Sequence, residues 1–311
     1  MNISKERVVN VRDDIELCVQ TFGDDEHPPL LLVCGIGSQM LSWPQAFCEE
    51  LAAVGHFVIR FDNRDVGRST WMHGEKAPPP KELASKLKEG IDVDVPYLLS
   101  DMADDAAALL DELGLQSVHV VGISMGGMIA QTFAIHHRHR CRSLTSIMST
   151  TSKIGLPPPK RHAIAALLIP APDNRDGSIE RGLVVMRAIG SPDEHFDDEL
   201  VRSLAGQSYD RSDDNPEGFA RQFAAILASG SRREQLEDLK IKALVIHGAE
   251  DPLLPLECGE DTSDALLGSE LVVIEGMGHD LPRKFWPRIT TPIVKVVASG
   301  ERQRQWREDF A

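Results

Sequence analysis

Short unbroken apolar runs alternate along this chain with longer stretches in which apolar residues recur every three or four positions. Leu30-Leu31-Leu32-Val33-Cys34, Phe57-Val58-Ile59-Arg60-Phe61, Val118-His119-Val120-Val121, Leu144 to Met148, Ala243-Leu244-Val245-Ile246-His247 and Leu271 to Glu275 are runs of the first kind. Such runs predict strands buried on both faces. Helical spacing predicts helices from Ser42 or Trp43 with Pro44 to Val54, from Asp101 to Leu113, from Met125 to His137 and from Pro282 through Trp286 to Val297. Ser100 offers an N-cap and Gly114 a stop for the second of these. Near the start, Arg7 to Asn10 and Ile15 to Thr21 read as two half-exposed strands around a turn at Arg12-Asp13-Asp14, because Ile15, Leu17 and Val19 alternate with other residues. Residues 74–96, rich in Pro and Lys, read as a surface excursion with a short amphipathic helix around Leu83 and Leu87.

The order βαβαβαβ over the first half predicts a doubly wound, mostly parallel sheet, since parallel strands need helical crossovers of one hand. From about Thr151 the rhythm breaks. Pro157-Pro158-Pro159 and Pro170-Ala171-Pro172 interrupt apolar segments, Ile179 to Ile189 and Pro216 to Ala228 have helical spacing, and no strand recurs until Ala243. Residues 1–150 and 236–311 are therefore expected to form one core, with 151–235 a helical cap inserted in it. Residues 300–311 are charged and expected to fray.

Composition narrows the function classes. The net charge of −15, from 48 acidic against 33 basic residues, argues against nucleic acid and anionic membrane as partners. The N-terminal ten residues have no apolar core and no long apolar run follows, so a cytoplasmic protein is expected. Cys18, Cys34, Cys48, Cys141 and Cys258 are scattered without metal spacing, which predicts free, mostly buried thiols and no metal site.

The chemistry concentrates after the strands. Gly122-Ile123-Ser124-Met125-Gly126 joins a predicted strand directly to a predicted helix. In that setting the pattern G-x-S-x-G is a nucleophile elbow: a strained turn lifts the Ser124 hydroxyl off the sheet, and glycines stand where side chains would collide. The Met125 N–H then lies at a helix N-terminus, where negative charge would develop. A serine needs a base, and the base an orienting carboxylate. His279 sits in Gly276-Met277-Gly278-His279-Asp280 after one strand, and Asp251 in His247-Gly248-Ala249-Glu250-Asp251-Pro252 after another. Glu250 and Asp280 are rival carboxylates; Asp251, before Pro252, is preferred. Gly35-Ile36-Gly37-Ser38 could be a plain turn or an anion-binding loop, and Asp62 to Thr70 reads as an internally hydrogen-bonded structural loop.

Outside 151–235 the chain resembles the α/β-hydrolase superfamily, through Gly122 to Gly127, His247 to Pro255, Gly276 to His279 and the loop Asp62 to Ser69. It is most similar to aclacinomycin methylesterase-like carboxylesterases, in Arg60 to Thr70 and Gly276-Met277-Gly278-His279. The resemblance implies an α/β-hydrolase fold: a mostly parallel eight-stranded sheet flanked by helices, with a helical cap. It implies Ser124 as nucleophile, His279 as general base then acid, Asp251 as orienting acid, and the Ile36 N–H as second oxyanion donor beside that of Met125. Many relatives carry His-Gly where this chain has Cys34-Gly35, a change that spares backbone donation but alters the loop's support.

The expected function is a serine carboxylic ester hydrolase acting on a small or medium ester through an acyl-enzyme, with no cofactor. Met148, Leu167, Leu168 and Met186 are expected to line the substrate pocket between sheet and cap. Serine at the elbow excludes relatives that use aspartate there, the haloalkane dehalogenases and epoxide hydrolases. A carbon–carbon bond hydrolase, a cofactor-free haloperoxidase or perhydrolase, and a non-catalytic ligand-binding protein are the alternatives.

Overall fold

The apolar runs become the strands of one sheet, and their register places every loop that carries chemistry on one edge. The computed structural model describes residues 1–12 and 14–309. In chain order the elements are β1 (Arg7–Arg12), β2 (Ile15–Phe22), β3 (Pro29–Val33), α1 (Gln45–Ala53), β4 (Phe57–Phe61), α2 (Pro80–Lys88), α3 (Leu99–Glu112), β5 (Val118–Ile123), α4 (Met125–His136), β6 (Cys141–Ile147), α5 (Arg161–Leu167), α6 (Arg175–Ile189), α7 (Asp198–Arg211), α8 (Pro216–Ala228), α9 (Arg233–Glu237), β7 (Lys242–Gly248), α10 (Leu256–Ala265), β8 (Glu270–Ile274) and α11 (Trp286–Asp309).

The strand order is β1-β2-β4-β3-β5-β6-β7-β8. β1 pairs antiparallel with β2, and β2 antiparallel with β4; all other pairs are parallel. The central strands β3 and β5 are almost wholly buried, as their lack of alternation requires. Consecutive side chains of β3 feed opposite faces. Leu31 and Val33 pack with Met102 and Leu109 of α3 and Phe133 of α4. Leu30 and Leu32 pack with Phe47 and Leu51 of α1 and Ile289 and Ile293 of α11. Helices thus cover both faces of the sheet, and the turns after β3, β5, β7 and β8 open on its carboxyl edge, where doubly wound sheets place their sites.

Several expectations shift in detail. Ser100 is not the cap of α3. The helix begins at Leu99, and the Leu98 N–H is taken by the Asp101 carboxylate at 2.8 Å. The cap is therefore supplied from inside the first turn. The last helix does not end at Val297 but continues to Asp309, through the residues expected to fray; residues 310 and 311 lie outside the described residues, as does Asp13 of the expected turn between β1 and β2. Between β6 and β7, α6 and α8 follow the helical spacing, whereas α5, α7 and α9 were not expected. α7 buries only Gly206 along its length, so it offered no apolar stripe to read. All five cysteines are buried free thiols. Among the described residues no helix is long and apolar enough to cross a membrane.

Candidate active site

Ser124 stands between β5 and α4 with φ +56° and ψ −123°. A non-glycine residue in that region is strained, and the strain persists only where the surroundings enforce it. Here the Ser124 N–H donates to the Ile147 carbonyl at 3.0 Å, and the Ser149 hydroxyl donates to the Ser124 carbonyl at 2.8 Å. The flanking glycines permit the turn, though not by sparing the serine itself. A β-carbon on Gly122 would run into the Gly126 carbonyl, and one on Gly126 into the Val33 and Cys34 carbonyls. The glycines therefore let α4 close against its own strand and against β3. Ser149 went unrecognised in the sequence; its signal was a polar residue just past the end of a buried strand.

The structure brings Asp251 and His279 together. The Asp251 Oδ2 lies 2.7 Å from Nδ1 of His279, both residues being buried. Asp251 Oδ1 accepts from the Leu253 and Leu254 N–H groups, each at 2.8 Å. An ionised carboxylate only accepts, so Nδ1 is the donor, and in the neutral imidazole the lone pair is then on Nε2. The backbone N–H of His279 donates to the Ile189 carbonyl at 2.8 Å. Among the described residues no hydrogen bond joins the Ser124 hydroxyl to His279, and in unliganded active sites this link is often the loose one.

The rival carboxylates point elsewhere. Glu250 is exposed. Asp280 is buried and turned to the Ser191 hydroxyl, which donates to it at 2.6 Å. Burial pushes the Asp280 carboxyl above its ordinary range, against the pull of Ser191. A further histidine, given no role from sequence, stands beside Asp251. His247 is fully buried, with Nε2 2.7 Å from the Leu254 carbonyl and 3.8 Å from Asp251 Oδ2. Burial lowers its pKa, outweighing the nearby Asp251 charge, so it stays neutral and donates from Nε2.

Opposite the elbow lies the turn after β3, closed by Ser38 N–H to the Gly35 carbonyl at 3.3 Å. A β-carbon on Gly35 would sit 3.4 Å from that of Ser124, so the turn lies directly against the serine. The N–H groups of Ile36 and Met125 make no hydrogen bond among the described residues. Met125 is buried and Ile36 half-buried. The first turn of α4 and the 35–38 turn thus both lie next to Ser124.

The charged loop after β4 is only partly bonded within itself; its aspartates also take partners from elsewhere in the core and from the helices between β6 and β7. Asp62 accepts from the Met40 N–H at 2.7 Å and the Arg68 N–H at 2.9 Å, and pairs with Arg211 of α7 at 2.7 Å. Asp65, at φ +70°, accepts from both Nε and Nη2 of Arg221 on α8 at 2.8 Å, from the Tyr97 hydroxyl at 2.6 Å and from the Met72 N–H at 2.8 Å. Burial disfavours the Asp65 charge, but Arg221 and Tyr97 outweigh it and hold the carboxyl below its ordinary range.

The four residues expected to touch substrate part company. Leu167 and Met186 pack on a small apolar cluster of Ala163, Ile189 and Leu253, beside the Asp251 loop and the His279 backbone. Met148 is fully buried after β6 at φ +37°, one residue before Ser149. Leu168, at the end of α5, is 65% exposed and outside that cluster. A surface cleft of about 210 Å³ opens among Pro44, Arg60, Leu204 and Trp286; its lining includes neither Ser124 nor His279, so it does not mark this centre.

Known proteins share this architecture. Residues 28–282 match the family described as alpha/beta hydrolase fold. A rhodomycin D methylesterase of Streptomyces sp. strain C5 is 30% identical over 87% of this chain and 91% of its own. A second rhodomycin D methylesterase, from Streptomyces peucetius, is 29% identical over the same shares. Among solved structures, the meta-cleavage product hydrolase of Pseudomonas fluorescens IP01 superposes with a TM-score of 0.73 at 18% identity, covering 96% of this chain and 98% of that one. With the family's span enclosing the elbow and both loops that supply Asp251 and His279, the chain belongs to the alpha/beta hydrolases.

Proposed function

We propose that this ester hydrolase works as a serine carboxylesterase in which Ser124, His279 and Asp251 form the catalytic triad. The observation that carries the reading is the 2.7 Å contact of Asp251 with Nδ1 of His279, which in the neutral imidazole puts the lone pair on Nε2, at the edge where the strained elbow presents Ser124. Nε2 takes the hydroxyl proton as the Ser124 oxygen attacks the ester carbonyl. The oxyanion is held by the Met125 and Ile36 N–H groups, each such donor being worth about 10²–10³ in rate. The carbon–oxygen bond to the alcohol then breaks, and the alcohol leaves with the proton from His279. Water, deprotonated by the same nitrogen, attacks the acyl-enzyme, and the acid departs as Ser124 recovers its proton.

Residues 151–235 are the cap in this reading, with Leu167, Met186 and Met148 at the apolar side of the substrate. Because the two relatives described above are methylesterases, methyl esters of carboxylic acids are the substrate class to try first. A panel of methyl and p-nitrophenyl esters of graded acid size should be turned over by the wild type and not by Ser124→Ala. A fluorophosphonate should label Ser124 stoichiometrically. Undiminished turnover by Ser124→Ala, or labelling at another residue, would sink the assignment.

A further inference from the structure

The 35–38 turn carries the Ile36 donor, yet little in its own sequence holds it in place. Its internal bonds are Ser38 N–H to the Gly35 carbonyl and the Ser38 hydroxyl to the Ile36 carbonyl, both at 3.3 Å. Gly37, at φ +61°, is exposed. Among the described residues a single hydrogen bond reaches this turn from outside. The Gly37 N–H donates at 2.8 Å to Oε1 of Gln222, a fully buried side chain on α8 of the insertion. The other end of the same amide, Nε2, donates at 2.8 Å to the Arg64 carbonyl in the charged loop. These partners fix the amide's orientation, since the N–H of Gly37 needs an acceptor and the carbonyl of Arg64 a donor.

The rest of α8 makes Gln222 rigid. Arg221 is locked on Asp65, Asn215 caps the helix through the Gly218 N–H at 3.0 Å and donates to the Asp65 carbonyl at 3.1 Å. One turn before Gln222, the Phe219 ring packs on the Gly37 Cα so closely that a β-carbon there would lie 2.9 Å from Cδ2. From this geometry we infer that Gln222 is a positioning residue for the oxyanion hole: it bridges the turns after β3 and β4 and sets where the Ile36 N–H points. It touches no reacting atom. The inference rests on the reaction proposed above, and it makes the insertion part of the catalytic apparatus rather than only a cover for substrate.

The test uses the full chain with Gln222→Met, which keeps length but loses both bonds, and Gln222→Glu, which keeps an acceptor for Gly37. Fluorophosphonate end-point labelling of Ser124 normalises for folded enzyme. The Met variant should lose about 10- to 100-fold in kcat, less than outright removal of a donor, with KM within about threefold. Its affinity for a trifluoromethyl ketone, which forms a tetrahedral oxyanion on serine, should fall by the same factor as kcat. The Glu variant should lie between Met and wild type. A kcat within twofold of wild type, a loss confined to KM, or a kcat loss with unchanged ketone affinity would overturn the inference. Failure of the wild type to label or turn over any ester would instead strike the proposed reaction, and the inference with it.

Discussion

Asp251→Asn isolates one feature of the site, the protonation pattern of the base, because the surrounding backbone leaves the new amide no freedom. Oδ1 of Asp251 accepts from two N–H groups, those of Leu253 and Leu254, at 2.8 Å each. An asparagine must keep its carbonyl oxygen there, since an amide NH₂ would confront two donors. Its Nδ2 then occupies the place of Oδ2, 2.7 Å from Nδ1 of His279. A donor in that place obliges Nδ1 to accept, so the imidazole proton moves to Nε2. The ring keeps its position but cannot take a proton from Ser124. The expected loss in kcat is about 10⁴-fold, or roughly 5.4 kcal/mol at the barrier.

Stability should barely change, because both backbone bonds survive. Asp251→Ala is the contrast: it strands the Leu253 and Leu254 N–H groups, at about 1–3 kcal/mol each, and should lower the melting temperature as well as the rate. The assay is kcat on a p-nitrophenyl ester alongside thermal melting, with fluorophosphonate end-point labelling of Ser124 to count competent sites. A well-folded Asn variant retaining more than a tenth of wild-type kcat would refute the tautomer argument. So would loss of stability in the Asn variant equal to that in the Ala variant, since the reoriented amide would then not be where the two N–H groups demand it.

Other outcomes follow from contacts elsewhere around the site. Gly126→Ala places a β-carbon on the Val33 and Cys34 carbonyls, so it should cost about 1–3 kcal/mol by denaturant titration and displace the turn that bears Ile36, with kcat falling alongside. Arg221→Met leaves the buried Asp65 charge uncompensated and should cost about 3–5 kcal/mol, while adding Asp65→Asn should recover part of it in a double-mutant cycle. In the wild type, Asp65 is held below its ordinary range, so its contribution is present above the unfolded carboxylate value and lost as pH falls through the lower folded value. Asp280 has the opposite sign: its folded value is raised by burial, so stability declines as pH rises from the ordinary carboxylate value through the raised one, and Asp280→Asn should flatten that part of the stability–pH curve.

The sheet was legible because a strand buried on both faces leaves a nearly continuous apolar run, as Leu30 to Val33 does and as Val118 to Val121 does apart from His119. The elbow and the Asp251 and His279 loops were legible because their glycines and polar residues directly follow such runs. What escaped was whatever depends on a partner far along the chain. Gln222 bonds a residue 185 positions away and Arg221 one 156 away, and neither carries a local mark beyond its place on an amphipathic helix. His247 was visible only as the end of a strand, and its contact with the acid exists because the chain doubles back at Leu254. α7 was missed for the opposite reason: its surface is largely polar, and ion pairs such as Arg202 with Asp198 and Arg211 with Asp62 give it the partners that an apolar stripe would otherwise supply.

These long-range ties bind the helices between β6 and β7 to the loops around Ser124. The His279 loop is held by the Ile189 carbonyl and by the Ser191 hydroxyl, which accepts from the Gly278 N–H at 3.1 Å. The 35–38 turn is held by Gln222, and the loop after β4 by Arg211 and Arg221. Two of those bonds neutralise aspartates, Asp62 and Asp65, that are otherwise sealed from water. A buried carboxylate without its cation is costly by several kcal/mol. Lifting the helices as one body would expose or strand both charges while slackening the 35–38 turn and the His279 loop together. Substrate entry that preserved the site would therefore involve only the part between β6 and β7 free of those anchors: α5, whose Leu167 meets the apolar cluster beside Asp251, and the start of α6.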